Sequence, residues 1–403
     1  MTATLQRKGA GLLVLLLGAG VFLNYVDRGA IGVAAPLMTS ELKLDPKAFG
    51  LVLSAFFWIY SPAQLMVGWL VDRFSVYRLM ALGVLLWAAS TLLMGVVGGF
   101  VSLLVLRTML GIGETVAFPG GSKIITRHVP PERRGMANAA LALGIALGPA
   151  AGTLAGGLIL ASFGWRAIFV TFGVITLLWL APWHFTTRKL VDTKSVEARV
   201  PVAAVISRWS LWSMAIAQFA CTYVFYFLLG WLPLYLTKSR GLPIREMTWI
   251  ATVGYSVQAV AALACGAWSD RWTRGGRSEA TVRRFMMFGG QLVAAASVFA
   301  LPYARTPVQL AAVLGIAGAA TGVLSLNTYA VAQMFSGRRA AGTWVGVQNA
   351  FGNLSGIIGP IVTGIIVSDA GFTMACWATA AVAALGALWW IWGVPRIEEI
   401  RLD

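Results

Sequence analysis

The sequence predicts an all-α membrane protein whose twelve transmembrane helices form two six-helix halves. Three observations carry this. Hydrophobic residues make up 58% of the 403-residue chain and charged residues only 11%, and the mean hydropathy is +0.78; a water-soluble surface needs more polar residues than that. Apolar runs long enough to cross a bilayer, roughly 20 residues each, recur from end to end. The two halves also repeat short motifs in the same order, as transporters built from internal repeats do.

The runs fall at about 10–37, 46–70, 79–98, 101–126, 135–162 and 166–187, then 209–237, 247–268, 282–303, 307–333, 341–368 and 372–394. Arg7 and Lys8 precede the first run like the start of a signal peptide. That run is too long for one, however, and it contains Asp27 and Arg28, so it is read as the first span. The longest polar stretch, near the middle, divides the chain into residues 1–187, a linker at 188–208 and residues 209–403.

The formal net charge of +16 would suggest nucleic acid in a soluble domain. Here the basic residues crowd short loops between spans, and no basic-aromatic platform accompanies them, so nucleic-acid binding is not expected. With the N-terminus placed in the cytoplasm, 22 of the 31 basic residues fall on the cytoplasmic side, seven outside and two in the membrane. This bias predicts an inner-membrane protein with both termini cytoplasmic. Cys221, Cys265 and Cys376 each sit inside an apolar run; their spacing fits neither a metal site nor a disulfide framework.

Repeated motifs connect the halves. Gly68-x-x-x-Asp72-Arg73 follows span 2, Gly266-x-x-x-Asp270-Arg271 follows span 8, and Gly148-Pro149 answers Gly359-Pro360. With Arg78, the first copy resembles the loop motif of the major facilitator superfamily, although Ser75, Val76 and Tyr77 depart from its usual form. A narrower resemblance is to the anion/cation symporter family, which includes sugar-acid importers and the vesicular glutamate and sialic-acid carriers. It rests on Asn24-Tyr25-Val26-Asp27-Arg28, on Arg107 to Glu114 continuing to Phe118-Pro119, on Pro131-Glu132-Arg133-Arg134, and on Trp231 to Leu236. The resemblance implies two pseudo-symmetric six-helix bundles around one cavity, with alternating access.

The membrane interior holds few charges. Only Asp27 and Glu114 among the acids, and Arg28 and Arg107 among the bases, lie well inside predicted spans. Charge at that depth is unfavourable and marks a functional site by default. Arg107 and Glu114 are two helical turns apart and share one face of span 4; Asp27 shares a side of span 1 with Asn24, and Arg28 lies about 100° further round. The four groups sum to zero charge with both acids ionised. Neutralising one acid leaves one positive charge, matched to a monoanion, so protonation and anion binding would favour each other. Arginine suits the anion because its planar fork can hold a carboxylate through two bonds. The alternative is a neutral network that merely joins helices, a role apolar packing fills more easily.

By resemblance, Arg28 holds the substrate carboxylate, Asp27 and Glu114 carry protons, Glu114 competes with substrate for Arg107, and Tyr25 lies beside the substrate. The C-terminal half has no intramembrane charge but offers Gln218, Tyr223, Tyr226, Tyr255, Gln258, Asn327, Trp344, Gln348, Asn349 and Asn353. Tyr226, Gln258 and Asn349 are the expected substrate contacts among them. Span 5 lacks the amide that sugar-acid members of the family often present to hydroxyls, which leaves a smaller or aromatic carboxylate open. Its glycines at 144, 148, 152, 156 and 157 read as close helix packing, with the glycine-proline motif of drug/proton antiporters as the sharper alternative. Gly68, Asp72, Arg73, Asp270 and Arg271 are expected to control conformation rather than touch substrate.

The expected function is therefore proton-coupled import of a small organic anion by a monomer in the bilayer, driven by the proton gradient, without metal or other cofactor. Two rivals are a proton antiporter that expels amphipathic compounds and a non-transporting nutrient sensor; the sensor would be expected to carry a long signalling tail, and few residues follow Arg396. A membrane enzyme is not expected, because no nucleophile-base set, metal cluster or nucleotide loop is present.

Overall fold

A computed structural model of the chain describes residues 2–130, 133–190 and 202–400; side chains are described for these except at residues 2–9, 72, 135, 270, 326, 338 and 339. The described residues form thirteen α-helices: α1 (Thr2–Glu41), α2 (Pro46–Arg73), α3 (Val76–Met94), α4 (Phe100–Glu114), α5 (Ala117–His128), α6 (Arg134–Phe163), α7 (Trp165–Thr187), α8 (Val202–Ile206), α9 (Trp209–Leu234), α10 (Ile244–Arg274), α11 (Glu279–Ala300), α12 (Pro307–Gly352) and α13 (Ser355–Trp392). Helix is the form that closes every backbone hydrogen bond within one segment, which a bilayer requires.

Among the described residues, eleven stretches are long and apolar enough to cross a membrane. The last runs 53 residues, Ala340–Trp392. At about 1.5 Å per residue, that exceeds twice the ~30 Å hydrocarbon core. The chain turns inside it at Gly371, with φ 82°, so this stretch makes two passes, which brings the described residues to twelve. A comparable turn at Gly337, φ 60°, divides α12. Both φ values lie where a Cβ would be strained, which is why glycine stands there.

Local signals start several helices. The Asp45 carboxylate accepts from Ala48 N at 2.7 Å ahead of Pro46 at the head of α2; Thr306 and Gln309 form a reciprocal capping box on α12. Such caps satisfy backbone donors that the first helical turn leaves open. One predicted span is interrupted: residues 100–128 form α4 and α5, separated at Thr115–Val116. The Thr115 N–H bonds to Ile112 O, one residue short of helical register, and this break directly follows Glu114.

In the N-terminal bundle α1 packs on α6, α2 on α4 and α3 on α7; in the C-terminal bundle α10 packs on α12, and α13 on α9 and α11. The bundles meet through α1–α9, α2–α13 and α6–α10. The glycines of α6 serve this packing. Gly144 lies on Gly18 and Phe22, Gly148 on Tyr25 and Gly152 on Val26, all on α1, while Gly157 lies on Thr248 of α10.

The end of the molecule where α1 stops and α2 starts, the Lys47 end, is closed. Lys47 pairs with Asp369 at 2.9 Å, and Lys238 donates to Ser40 at 2.8 Å. A Cβ added at Gly50 would lie 2.5 Å from Pro360 O, and one at Gly364 would lie 2.5 Å from Pro46 O. Toward the Arg73 end, a Cβ on Gly346 would lie a comfortable 3.7 Å from Gln64 O.

Candidate functional site

The site starts from two glycines on α4. A Cβ at Gly111 would lie 2.2 Å from Phe56 O, and one at Gly113 would lie 2.7 Å from Gly83 O. Their absent side chains let α4 sit backbone-to-backbone between α2 and α3, and so press Glu114 into the centre of the bundle. Glu114 has no exposed surface. Its Oε2 accepts from Arg28 Nε at 2.7 Å, and Asn24 lies beside it. This is a fully buried ion pair between α1 and α4.

Three aromatic rings surround the Arg28 guanidinium: Tyr60 at 4.7 Å, Phe56 at 5.0 Å and Tyr25 at 5.1 Å. Phe56 also faces the Arg107 guanidinium at 5.2 Å. One ring therefore stands between two cations, and its negative π face offsets part of their repulsion. Arg107 Nε donates to Val52 O at 3.4 Å. Among the described residues, Arg28 Nη2 and Arg107 Nη1 meet no acceptor although both are buried. A buried N–H without a partner is unfavourable by about 1–3 kcal/mol, more when charged, so both sites are primed for an acceptor.

Both arginines line one cavity between the bundles, with Ile31, Leu53, Phe56, Phe57, Tyr226, Leu229, Gly230 and Pro360. Tyr226 is held by its hydroxyl, which donates to Asn353 Oδ1 at 2.6 Å, and its ring packs 4.5 Å from that of Phe57.

The sequence-derived residues divide into groups. Arg28, Arg107, Glu114, Tyr25 and Tyr226 come together at or beside the cavity. Asp27 does not join them. Its Oδ2 accepts from Trp87 Nε1 at 2.5 Å and Thr176 Oγ1 at 3.2 Å, between α3 and α7. The expectation that all four charges converge on one chamber is thus corrected: the 100° step between successive residues turns Asp27 into the bundle as Arg28 turns out of it. Asp27 remains near enough to Glu114 for the two to interact electrostatically. Glu114 is hydrogen-bonded to Arg28 and also lies near enough to Arg107 to interact with it electrostatically.

Asn349 and Gln258 lie outside the cavity wall. Asn349 Oδ1 accepts from Gln218 Nε2 at 2.7 Å, and the Gln258 backbone supports close approaches of Gly318 and Gly322. Gly68, Arg73 and Arg271 lie near the ends of α2 and α10, remote from the site; Arg73 stacks on Trp69 at 5.6 Å. The side chains of Asp72 and Asp270, the Pro131-Glu132 pair and most of the 188–208 linker lie outside the described residues.

Sequence reasoning missed Phe56, Phe57 and Tyr60, the aromatic wall on α2. Their helical spacing was a usable signal, since 56 and 60, one turn apart, share a face. It also missed Trp87 and Thr176, whose pairing with Asp27 left no local trace.

A family model described as Major Facilitator Superfamily matches residues 17–278 and 214–400. The probable galactarate/D-glucarate transporter GudP of Bacillus subtilis is 29% identical over 89% of this chain and 86% of its own length. The D-galactonate transporter of Escherichia coli O6:H1 is 27% identical over 96% of each chain. The probable sulfoacetate transporter SauU of Cupriavidus necator is 27% identical over 91% of this chain and 90% of its own. A solved bacterial homolog of the human lysosomal transporter Spinster, inward-facing and unoccupied, superimposes with a TM-score of 0.82 at 19% identity, covering 96% of this chain and 98% of that one. The chain therefore belongs to the Major Facilitator Superfamily and is a multi-pass membrane transporter, not an enzyme.

Proposed function

We propose that the protein imports a small organic anion together with protons by alternating access, with Arg28 and Arg107 as the anion-holding groups and Glu114 as the coupling acid. The relatives named above for sugar acids and sulfoacetate all concern organic anions, which supports the substrate class. The observation that carries the coupling is the 2.7 Å Arg28–Glu114 pair beside a cavity that Arg28 itself lines.

The sequence of events follows from charge. With Glu114 ionised, its carboxylate occupies Arg28 and the anion meets a competitor. A proton on Glu114 removes that negative charge and frees the Arg28 fork, leaving two guanidiniums facing the cavity. The anion then binds between them, and by linkage the bound anion in turn favours the proton. Asp27 is the second proton carrier, reached through its electrostatic contact with Glu114. Loading and release are completed when the contacts at the Lys47 end part and the opposite end closes, a rocking of one bundle against the other around a central site. Both termini lie in the cytoplasm in this scheme, which makes the Lys47 end the outer one.

The test is Glu114→Gln in proteoliposomes. The amide cannot take up a proton, so proton-driven accumulation falls at least about tenfold, anion exchange persists, and anion affinity loses its rise toward acidic pH. Wild-type accumulation by this variant refutes the coupling role.

A further inference from the structure

The cavity wall has an unusual chemical make-up for a chain with several relatives named for polyhydroxylated acids. Of the residues that line it, only Arg28, Arg107 and Tyr226 carry polar side chains. The Tyr226 hydroxyl proton is already committed to Asn353. The remaining side chains are aliphatic or aromatic: Ile31, Leu53, Phe56, Phe57, Leu229 and Pro360.

Three amides on α9 and α12 are turned to one another. Trp344 Nε1 donates to Gln348 Oε1 at 3.1 Å, Gln348 Nε2 to Gln218 Oε1 at 2.8 Å, and Gln218 Nε2 to Asn349 Oδ1 at 2.7 Å. This head-to-tail chain uses the carbonyl oxygen of each of its three amides. A sugar acid bound in the cavity would lose water from several hydroxyls and regain few hydrogen bonds, and each such unmatched group weakens binding.

Resting on the anion-carrier reading above, we infer that the substrate is an aromatic carboxylate rather than a polyhydroxylated sugar acid. Its carboxylate bridges the two donors that lack acceptors, Arg28 Nη2 and Arg107 Nη1. Its ring lies against Phe57 and Tyr226, whose rings already pack 4.5 Å apart, with Leu53 and Leu229 covering the edge.

The experiment is calorimetric titration of the purified transporter in detergent at acidic pH with benzoate, phenylacetate, D-galactonate and D-glucarate, repeated on Phe57→Leu and Arg28→Ala. Benzoate or phenylacetate binds at least tenfold more tightly than either sugar acid to the wild type, Phe57→Leu reduces that preference about tenfold, and Arg28→Ala abolishes it. Phe57 also packs on Gly356, so the wild-type ranking decides the matter if that variant folds poorly. Equal or tighter binding of a sugar acid overturns the aromatic assignment and leaves the anion-carrier reading intact. Aromatic binding unaffected by Arg28→Ala places the ligand elsewhere and also overturns the assignment. No binding by any of the four acids overturns both.

Discussion

The two bundles meet at one cavity but bring different polar groups toward it, ionisable on one side and neutral on the other. The N-terminal bundle brings ionisable side chains together and leaves valences open: Arg28 Nη2, Arg107 Nη1 and Asp27 Oδ1 meet no partner among the described residues. On the C-terminal side, α9 and α12 are joined by a neutral chain of donors and acceptors from Trp344 through Gln348 and Gln218 to Asn349. Thr222 and Ser355 add a hydroxyl pair at 2.7 Å nearby. An open valence beside a cavity invites a ligand or a proton, while a closed network resists rearrangement. In the proposed scheme the coupling groups therefore all sit in one bundle, and the other supplies the wall they work against.

Substitutions in the two halves should therefore fail in different ways. The largest effect is expected at Arg28. Arg28→Ala strands Glu114 in the interior and removes the proposed anion partner; breaking a buried pair is unfavourable by about 3–5 kcal/mol, and anion binding by calorimetry should disappear. Arg28→Lys keeps the charge but not the fork, and should still weaken binding about tenfold. Next comes the closed end. A leucine at Gly50 would drive its side chain into Pro360 O, so Gly50→Leu should hold the bundles apart and lower uptake by about tenfold while anion affinity in detergent stays within about threefold.

The third effect belongs to the neutral network. Gln218→Ala leaves Gln348 Nε2 without its acceptor and Asn349 Oδ1 without its donor, a loss of about 1–3 kcal/mol. It should appear as a lower unfolding temperature with anion affinity nearly unchanged. An affinity loss there as large as that of Arg28→Ala would break the proposed division of labour. The smallest effect is expected at Lys47, whose pair with Asp369 has both side chains about half exposed. Lys47→Ala should change stability by less than about 1 kcal/mol, and a larger drop in uptake than in stability would single out the pair as part of the closing machinery.

Much of the fold was legible because a bilayer allows few solutions. The predicted span at 209–237 compares with Trp209–Ser239, and that at 135–162 with Met136–Phe163, since spans must be apolar over a fixed length. Boundaries drifted where polar residues continue a helix beyond the apolar run, as α10 does to Arg274. The break after Glu114 was not legible. It depends on α4 being wedged between α2 and α3 at Gly111 and Gly113, and the sequence names those glycines without naming their neighbours.

The sequence by itself determined the number of spans and the four intramembrane charges, because hydrophobic length and the rarity of buried charge are properties of single segments. Only the tertiary structure decided that Glu114 hydrogen-bonds to Arg28, that Asp27 turns toward Trp87 and Thr176, and that Gln348, Gln218 and Asn349 bond to one another. Each of those outcomes joins residues on different helices. Helical periodicity fixes which face a residue occupies, but the neighbour that face meets is set by how the helices pack together.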